Sequence, residues 1–436
     1  MKYQEYLSWL EEVPLYGHKD GVNNIRKLMG RMGDPQTKYR VIHVAGTNGK
    51  GSCCAMLSSV FSEAGYRTGL FTSPHLIDYT ERIQVDRQPI AKRDFVRIGM
   101  KVRREIEQMV REGENHCTFF EILTAMAFLY FAEQKVDVVV LETGVGGRLD
   151  ATNIVEAPQL LLTLITSISL DHTKVLGDTV SLIAAEKAGI MRRGVPTVLA
   201  KNPGQVQDVI REKAKMLGCP YIYADEADAS LLMRRGEDGK MRRIPLEGLY
   251  QRENVSAVLT ALRVLQRQRR EGHLKISREE IDRGLLKTVW PGRMQEKSLY
   301  GKKILLDGAH NPAGADHLAE YLKTTCSSGS CVLVFSALGK KDVSGILRVL
   351  RDCPAIGEAI FTRIHGEKNE DRFIETWEET DPSNAGSRAE SKPFEVIPEP
   401  IEAVRRAARK KNTSLVVCAG SLYLIGEILE KLGKRG

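Results

Sequence analysis

The chain has 436 residues, 64 Lys and Arg against 56 Asp and Glu, a formal net charge of +8, and 42% apolar residues. That length suits two or three domains with sizeable cores and excludes disordered, collagen-like and small disulfide-scaffold classes. No apolar run approaches the ~20 residues of a membrane span, and the acid-bearing start MKYQEYLSWLEEV lacks the apolar stretch of a secretory signal.

The eight cysteines are scattered without C-x-x-C pairs, so neither structural zinc nor a disulfide framework is expected. A reducing, cytoplasmic setting follows. The positive charge is dispersed. Its densest cluster, Arg263, Arg267, Arg269 and Arg270, reads as a helix C-terminus, where cations complement the dipole. Neither nucleic acid nor a membrane is therefore expected as a partner.

In chain order, residues 39–45 (YRVIHVA), 136–142 (VDVVVLE), 159–165 (QLLLTLI) and 195–200 are short and apolar. Such runs fit strands of a parallel sheet buried on both faces. Residues 52–64, 94–110, 121–132, 180–190 and 205–217 between them read as helices, an alternation that predicts α/β architecture with a mainly parallel sheet. The pattern breaks at VWPGR (289–293), where Pro-Gly signals a turn or linker. Beyond it, strands over 303–306, 331–335, 359–362 and 414–417 alternate with helices over 313–323, 343–351, 401–410 and 422–432. Domains over 1–288 and 293–436 are expected, the second Rossmann-like. The charged, Ser/Glu-rich stretch 366–398 reads as a surface excursion.

The strongest chemical signal is AGTNGKGS (45–52) between a predicted strand and helix. A glycine-rich turn there aims backbone N–H groups and the positive helix end at a phosphate. Lys50 reaches the β- and γ-phosphates, and the Ser52 hydroxyl serves phosphate or Mg²⁺. The GTPase base-reading motif N/T-K-x-D is missing from the sequence, which favours ATP.

Glu142 closes the strand over 136–142 and precedes Gly144, Gly146 and Gly147. Ligands of open α/β sheets bind at the carboxyl ends of strands, and a carboxylate there holds Mg²⁺ directly or through water. Asp171 and His172 follow the next strand and reach the same edge. Lys187 in AAEKAGI (184–190) sits among small and apolar neighbours, a setting that lowers an amine's pKa; a solvated lysine paired with Glu186 is the plainer reading. In DGAHNP (307–312), Asp307 is placed to accept from ribose hydroxyls, with N-capping by Asp307 or Asn311 as the structural alternative.

The sequence resembles the folylpolyglutamate synthase/dihydrofolate synthase family, the folate branch of the Mur-ligase superfamily. The likeness rests on VAGTNGKGS (44–52), FTSPHL (71–76), ERI (81–83), TFFE (118–121), ETGVGGRLDATN (142–153), AAEKAGI, Gln251 with Asn254, PGR (291–293) and DGAHNP. It implies an ATP-dependent ligase that adds L-glutamate to dihydropteroate and to folate glutamates through an acyl phosphate, acting as a monomer. By that resemblance Thr47, Asn48, Gly49, Lys50, Gly51 and Ser52 cradle the ATP phosphates. Asn254, Arg293, Asp307 and His310 would contact the nucleotide, and Ser73, Glu142 and His172 would hold Mg²⁺. Lys187 would be carbamylated and catalytic, alongside Lys50 and His172. Dihydropteroate would meet Gly21, Val22, Thr118, Phe120, Asp150 and Ala151. Two departures stand out: Lys340 occupies a position where an acid is frequent, and 366–398 matches no family element. A UDP-muramyl ligase, a synthase limited to polyglutamylation, and a P-loop binding module are the alternatives.

Overall fold

The computed structural model describes residues 1–14, 21–224, 229–248, 250–268, 274–338, 341–379 and 391–433. The chain forms two compact units. The first comprises Met1–Pro74, Tyr79–Pro245 and Gln251–Val289; the second comprises His75–Asp78, Leu246–Tyr250 and Trp290–Gly436.

The first unit is built on β1 (Arg40–Ala45), β2 (Thr68–Phe71), β3 (Ile83–Val85), β4 (Gln88–Pro89), β5 (Val138–Glu142), β6 (Leu160–Ile165), β7 (Thr197–Ala200) and β8 (Tyr221–Ala224). Their order is β4-β3-β2-β5-β1-β6-β7-β8. The run from β2 to β8 is parallel, and the short β3 and β4 add an antiparallel edge. Every residue of β2, β5, β6 and β7 is buried, as expected of strands covered on both faces. From β1 the chain crosses to β2 on one side, leaving the place between them for β5, and from β6 it continues to β7 on the other. The loops leaving β1 and β6 therefore diverge and open a crevice at their carboxyl ends.

The helix Lys50–Glu63 is buried from Ser52 to Phe61. With apolar or small residues all round, it suits a position enclosed by other elements. The helix Lys92–Arg111 instead buries one stripe, Phe95, Ile98, Gly99, Val102, Ile106 and Met109, at the spacing of a single helical face. The helix Phe119–Glu133 starts at a reciprocal cap. The Thr118 Oγ1 accepts from the Glu121 N–H at 3.3 Å, and the Thr118 N–H donates to Glu121 Oε2 at 2.7 Å. Two basic strands, β9 (Met233–Arg235) and β10 (Met241–Arg243), form a separate antiparallel ribbon.

The second unit carries β11 (Gln295–Leu299), β12 (Lys302–Leu306), β13 (Cys331–Phe335), β14 (Ile356–Phe361), β15 (Phe394–Val396) and β16 (Leu415–Ala419). Their order is β11-β12-β16-β13-β14-β15, parallel except for the β11 edge. Core clusters lie on both faces, one around Phe335, Phe361 and Trp377, the other around Ile360, Val416 and Ile425.

One expectation needs correcting. The ends of 366–398 are not a surface excursion. The helix Glu370–Glu379 buries Phe373 and Trp377, and Phe394–Val396 pairs with β14 as the edge strand. The apolar residues are sparse enough among charges to hide the helical stripe. Residues 380–390 within that stretch lie outside the described residues, as do Arg269, Arg270 and Lys340.

Candidate active site

The carboxyl ends of β1, β5 and β6 organise the site of the first unit. After β1 the chain turns through Gly46 and Gly49, both with positive φ (155° and 87°). A Cβ on Gly46 would overlap the Thr166 hydroxyl, and one on Gly49 would overlap the Asn254 amide. Glycine is required at these two positions for conformation and for space. The Thr47 and Asn48 N–H groups donate to the Ser167 carbonyl at 2.8 and 3.2 Å. The Thr47 Oγ1 donates to Ser169 O at 3.1 Å, and the Thr166 Oγ1 donates to Asn48 O at 2.8 Å. The turn is thus fastened to the loop after β6 across the crevice.

Two lysines converge on this turn. The Lys50 ammonium donates to Gly46 O and Thr47 O at 3.1 and 3.2 Å. The Lys187 Nζ, on a side chain only 3% exposed, donates to the same Gly46 O at 2.7 Å. Burial, reinforced by the nearby Lys50 charge, pulls the Lys187 amine down to about 7, against the opposing carboxylates of Asp171 and Asp150. Lys187 is therefore the buried amine and not the solvated one. It ends the helix Val180–Lys187, and a 3₁₀ turn, Ala188–Ile190, replaces the continuation expected to 190.

Ser52 is buried, and its hydroxyl accepts from Gln251 Nε2 at 3.3 Å; Gln251 Oε1 in turn accepts from Asn254 Nδ2 at 2.9 Å. Gln251 and Asn254, one helical turn apart on the helix Gln251–Arg267, so brace the start of the helix Lys50–Glu63.

At the end of β5, the buried Glu142 accepts from the Ser73 N–H at 3.2 Å. His172 has a positive φ of 51°, and its N–H donates to Asp171 Oδ1 at 2.9 Å. Among the described residues, no group of three or more His, Cys, Asp or Glu side chains is disposed to cage a metal ion. The geometry joins Ser73 to Glu142, and His172 to Asp171.

The loop after Glu142 gathers the remaining candidates. A Cβ on Gly144 would stand 2.6 Å from the Phe120 ring, and one on Gly147 2.9 Å from Lys187 O. A Cβ on Gly21 would meet Leu149 at 3.2 Å, which puts the Gly21–Val22 turn beside the same loop. The Asp150 carboxyl is buried and serves its own loop. Its Oδ2 accepts from the Val145 N–H at 2.9 Å, and its Oδ1 accepts from the Thr152 N–H and Oγ1 at 3.0 and 2.6 Å. Burial raises its pKa against those hydrogen bonds. Thr118 is occupied by its helix cap, whereas Ala151 is packed in the core.

In the second unit, Asp307 follows β12. Its carboxylate accepts from the Met294 N–H at 2.9 Å, the Ala309 N–H at 2.8 Å and the Tyr250 hydroxyl at 3.5 Å. Burial raises its pKa while the Arg293 charge opposes the rise. The helix Pro312–Thr325 is capped by Asn311, whose Oδ1 accepts from the Gly314 N–H at 2.8 Å, leaving Asp307 free of that duty. The His310 ring nitrogen Nδ1 lies 2.7 Å from Gly308 O.

Residues 293–431 match the family model described as dihydrofolate synthetase, C-terminal domain. The dihydrofolate synthase/folylpolyglutamate synthase of Bacillus subtilis is 36% identical over 450 aligned positions, covering 99% of each chain. This chain belongs to the folylpolyglutamate synthase/dihydrofolate synthase family. Among solved structures of the family, Mycobacterium tuberculosis folylpolyglutamate synthase, crystallised with ADP and AMPPCP, superposes with a TM-score of 0.82 at 29% identity over 99% of this chain and 98% of its own. Escherichia coli FolC in complex with DHPP and ADP gives 0.83 at 28% identity over 100% and 98%.

Sequence reasoning passed over three residues of this family site. Thr166 locks the turn after β1, Gln251 holds Ser52, and Asp171 biases Lys187. Asp171 was expected at the same sheet edge as Glu142 and Gln251 was paired with Asn254 in the family likeness, neither with a role of its own. Thr166 carries no local signal, because its work lies across two strands 121 residues apart from Ala45.

Proposed function

We propose that the chain is an ATP-dependent ligase that joins L-glutamate by an amide bond to dihydropteroate and to folates already carrying glutamate. The observation that carries this is the convergence of Lys50 and Lys187 on the Gly46 carbonyl at the β1–β6 crevice, beside Glu142. A carboxylate does not acylate an amine near neutrality, because its oxygen leaves poorly. Transfer of the ATP γ-phosphoryl to that carboxylate gives an acyl phosphate and ADP. The glutamate amine then attacks the acyl carbon, loses a proton and expels phosphate.

In this reading Thr47, Asn48, Gly49, Gly51 and Ser52 position the phosphates through the turn and helix N-terminus. Lys50 swings from its backbone carbonyls to the transferring group, where positioned charge supplies most of the catalysis. Lys187, with an amine near neutrality, attacks carbon dioxide to form a carbamate and release a proton; the new carboxylate faces the phosphate turn. Glu142, Ser73 and His172 would hold Mg²⁺. The oxygen donors of Glu142 and Ser73 suit a hard cation that keeps waters and takes phosphate oxygens, so a full protein cage is not required. When bound, the ion neutralises phosphate charge.

Asn254, Arg293, Asp307 and His310 are the proposed nucleotide contacts. Gly21, Val22, Thr118, Phe120, Asp150 and Ala151 are assigned to the dihydropteroate face, with Asp150 as the brace of its loop. The eight cysteines are all free thiols, in keeping with the proposed cytoplasmic setting. Among the described residues no helix is long and apolar enough to cross a membrane. The test is phosphate release with MgATP, glutamate and either dihydropteroate or a folate. Release with both acceptors is expected. Release with folate alone would limit the enzyme to polyglutamylation, and release with neither would overturn the ligase reading.

A further inference from the structure

We propose that His43 and Thr152 are positioning residues that fix the Asp150 carboxylate and, through its loop, the use of dihydropteroate as acceptor. The proposal rests on the assignment of that loop to the ring end of dihydropteroate given above. His43 is the single polar residue in VIHVA (41–45) of β1. It is buried, and a buried imidazole is costly unless it is hydrogen-bonded. Its Nε2 lies 2.8 Å from the Oγ1 of the equally buried Thr152. His43, Thr152 and Asp150 all belong to the first unit.

The order of protons along this chain follows from Asp150. Its Oδ2 accepts from the Val145 N–H, and its Oδ1 accepts from the Thr152 N–H and from the Thr152 hydroxyl, the last at 2.6 Å. An alcohol that close to a carboxylate makes a charge-assisted hydrogen bond. The hydroxyl has one proton. Once that proton is given to Asp150, the Thr152 oxygen accepts from His43, so the imidazole is neutral with its proton on Nε2. Burial, reinforced by the Arg192 charge, pulls His43 down to about 3, which keeps the ring neutral at ordinary pH. His43 is held between Leu141 of β5 and Thr163 of β6. The relay therefore starts in the centre of the sheet and ends on the loop.

The far side of the loop is fastened independently. The Arg192 Nη2 donates to Asn153 O and Oδ1, both at 2.9 Å, and the Asn153 Nδ2 donates to Arg148 O and Gly189 O at 3.0 and 3.1 Å. Loss of the relay thus loosens the Asp150 carboxylate while Asn153 stays in place.

The experiment measures steady-state kinetics of the full chain with dihydropteroate and with a folate in four variants. Thr152→Val keeps the shape and the N–H but lacks the hydroxyl; His43→Leu lacks the donor; His43→Gln returns an amide N–H near the Nε2 position; Asp150→Ala is the control. Thr152→Val and His43→Leu should each raise the KM for dihydropteroate about tenfold, the scale of one hydrogen bond to a charged group, with folate KM and both kcat values unchanged. His43→Gln should restore most of the loss. Nitrogen NMR of histidine-labelled enzyme, with His43→Gln identifying the signal, should show the proton on Nε2. If His43→Leu fails to fold, Thr152→Val and the spectrum decide. With Asp150→Ala selective for dihydropteroate, an unchanged Thr152→Val, equal losses with both acceptors, or a proton on Nδ1 would overturn the relay. Equal losses in Asp150→Ala would overturn the proposal through the loop assignment beneath it.

Discussion

Lys50 and Lys187 share one carbonyl oxygen but differ in what surrounds them, and their substitutions separate accordingly. Lys50→Ala should keep the fold, since only two hydrogen bonds to the turn are lost, while kcat falls by at least 10³-fold through lost stabilisation of the transferring phosphoryl, several kcal/mol. Steady-state kinetics beside a circular dichroism spectrum checks this. Near-normal turnover would remove Lys50 from the phosphate site.

Lys187 predicts a pH effect. Its amine is depressed from 10.5 to about 7, so between these values the unfolded chain binds the proton that the folded chain has released. Stability owed to this group therefore rises with pH from about 7 to 10.5, and the penalty of burying the cation is full below 7. In carbonate-free buffer Lys187→Met should be inactive yet raise the thermal midpoint at pH 6.5, with the advantage shrinking by pH 9. An advantage that grew with pH would contradict the buried amine.

Asp150 gives a third residue-scale expectation. Dihydropteroate has no glutamate tail to hold it, so its carboxylate must be placed from the ring end, which the proposed function assigns to the Asp150-braced loop. Asp150→Ala should depress the dihydropteroate reaction far more than glutamate addition to a folate. It should also destabilise the fold by about 1–3 kcal/mol, through buried donors left unpaired. Equal losses in both reactions would show that the loop does not discriminate.

Among elements, the helix Phe119–Glu133 has apolar or small residues on every side and no stripe to orient it. Its start is set by the Thr118–Glu121 reciprocal cap, which places Phe120 against Gly144. Thr118→Ala should cost about 1 kcal/mol in denaturant titration, a normal value for an N-cap, and raise the KM for dihydropteroate as Phe120 loses its fixed position. A stability loss with KM unmoved would make Thr118 purely structural. At the same scale the sequence was informative where patterns were long. VVVLE and LLLTLI matched β5 and β6 because strands covered on both faces need continuous apolar residues. It was silent on β2, β3, β4, β8, β9, β10, β11 and β15, which have two to five residues each and gain their structure from neighbours already in place.

The whole molecule consists of two units, each with its own sheet and core clusters. Separate cores predict separate cooperativity. Scanning calorimetry should resolve at least two transitions, with a calorimetric enthalpy exceeding the van't Hoff value; one two-state transition would refute independent cores.

The sequence by itself determined the α/β class, the glycine-rich turn between β1 and its helix, the candidate acids at strand ends and the family resemblance, because each is written in contiguous residues whose spacing dictates local geometry. Only the tertiary structure decided that Lys187 is buried on the Gly46 carbonyl, that Asp150 spends its carboxylate on its own loop, that Asn311 caps the helix near Asp307, and that His43 meets Thr152. The partners in the last case are 109 positions apart in the chain. Burial and hydrogen-bond occupancy belong to such distant pairs, and no local pattern encodes them.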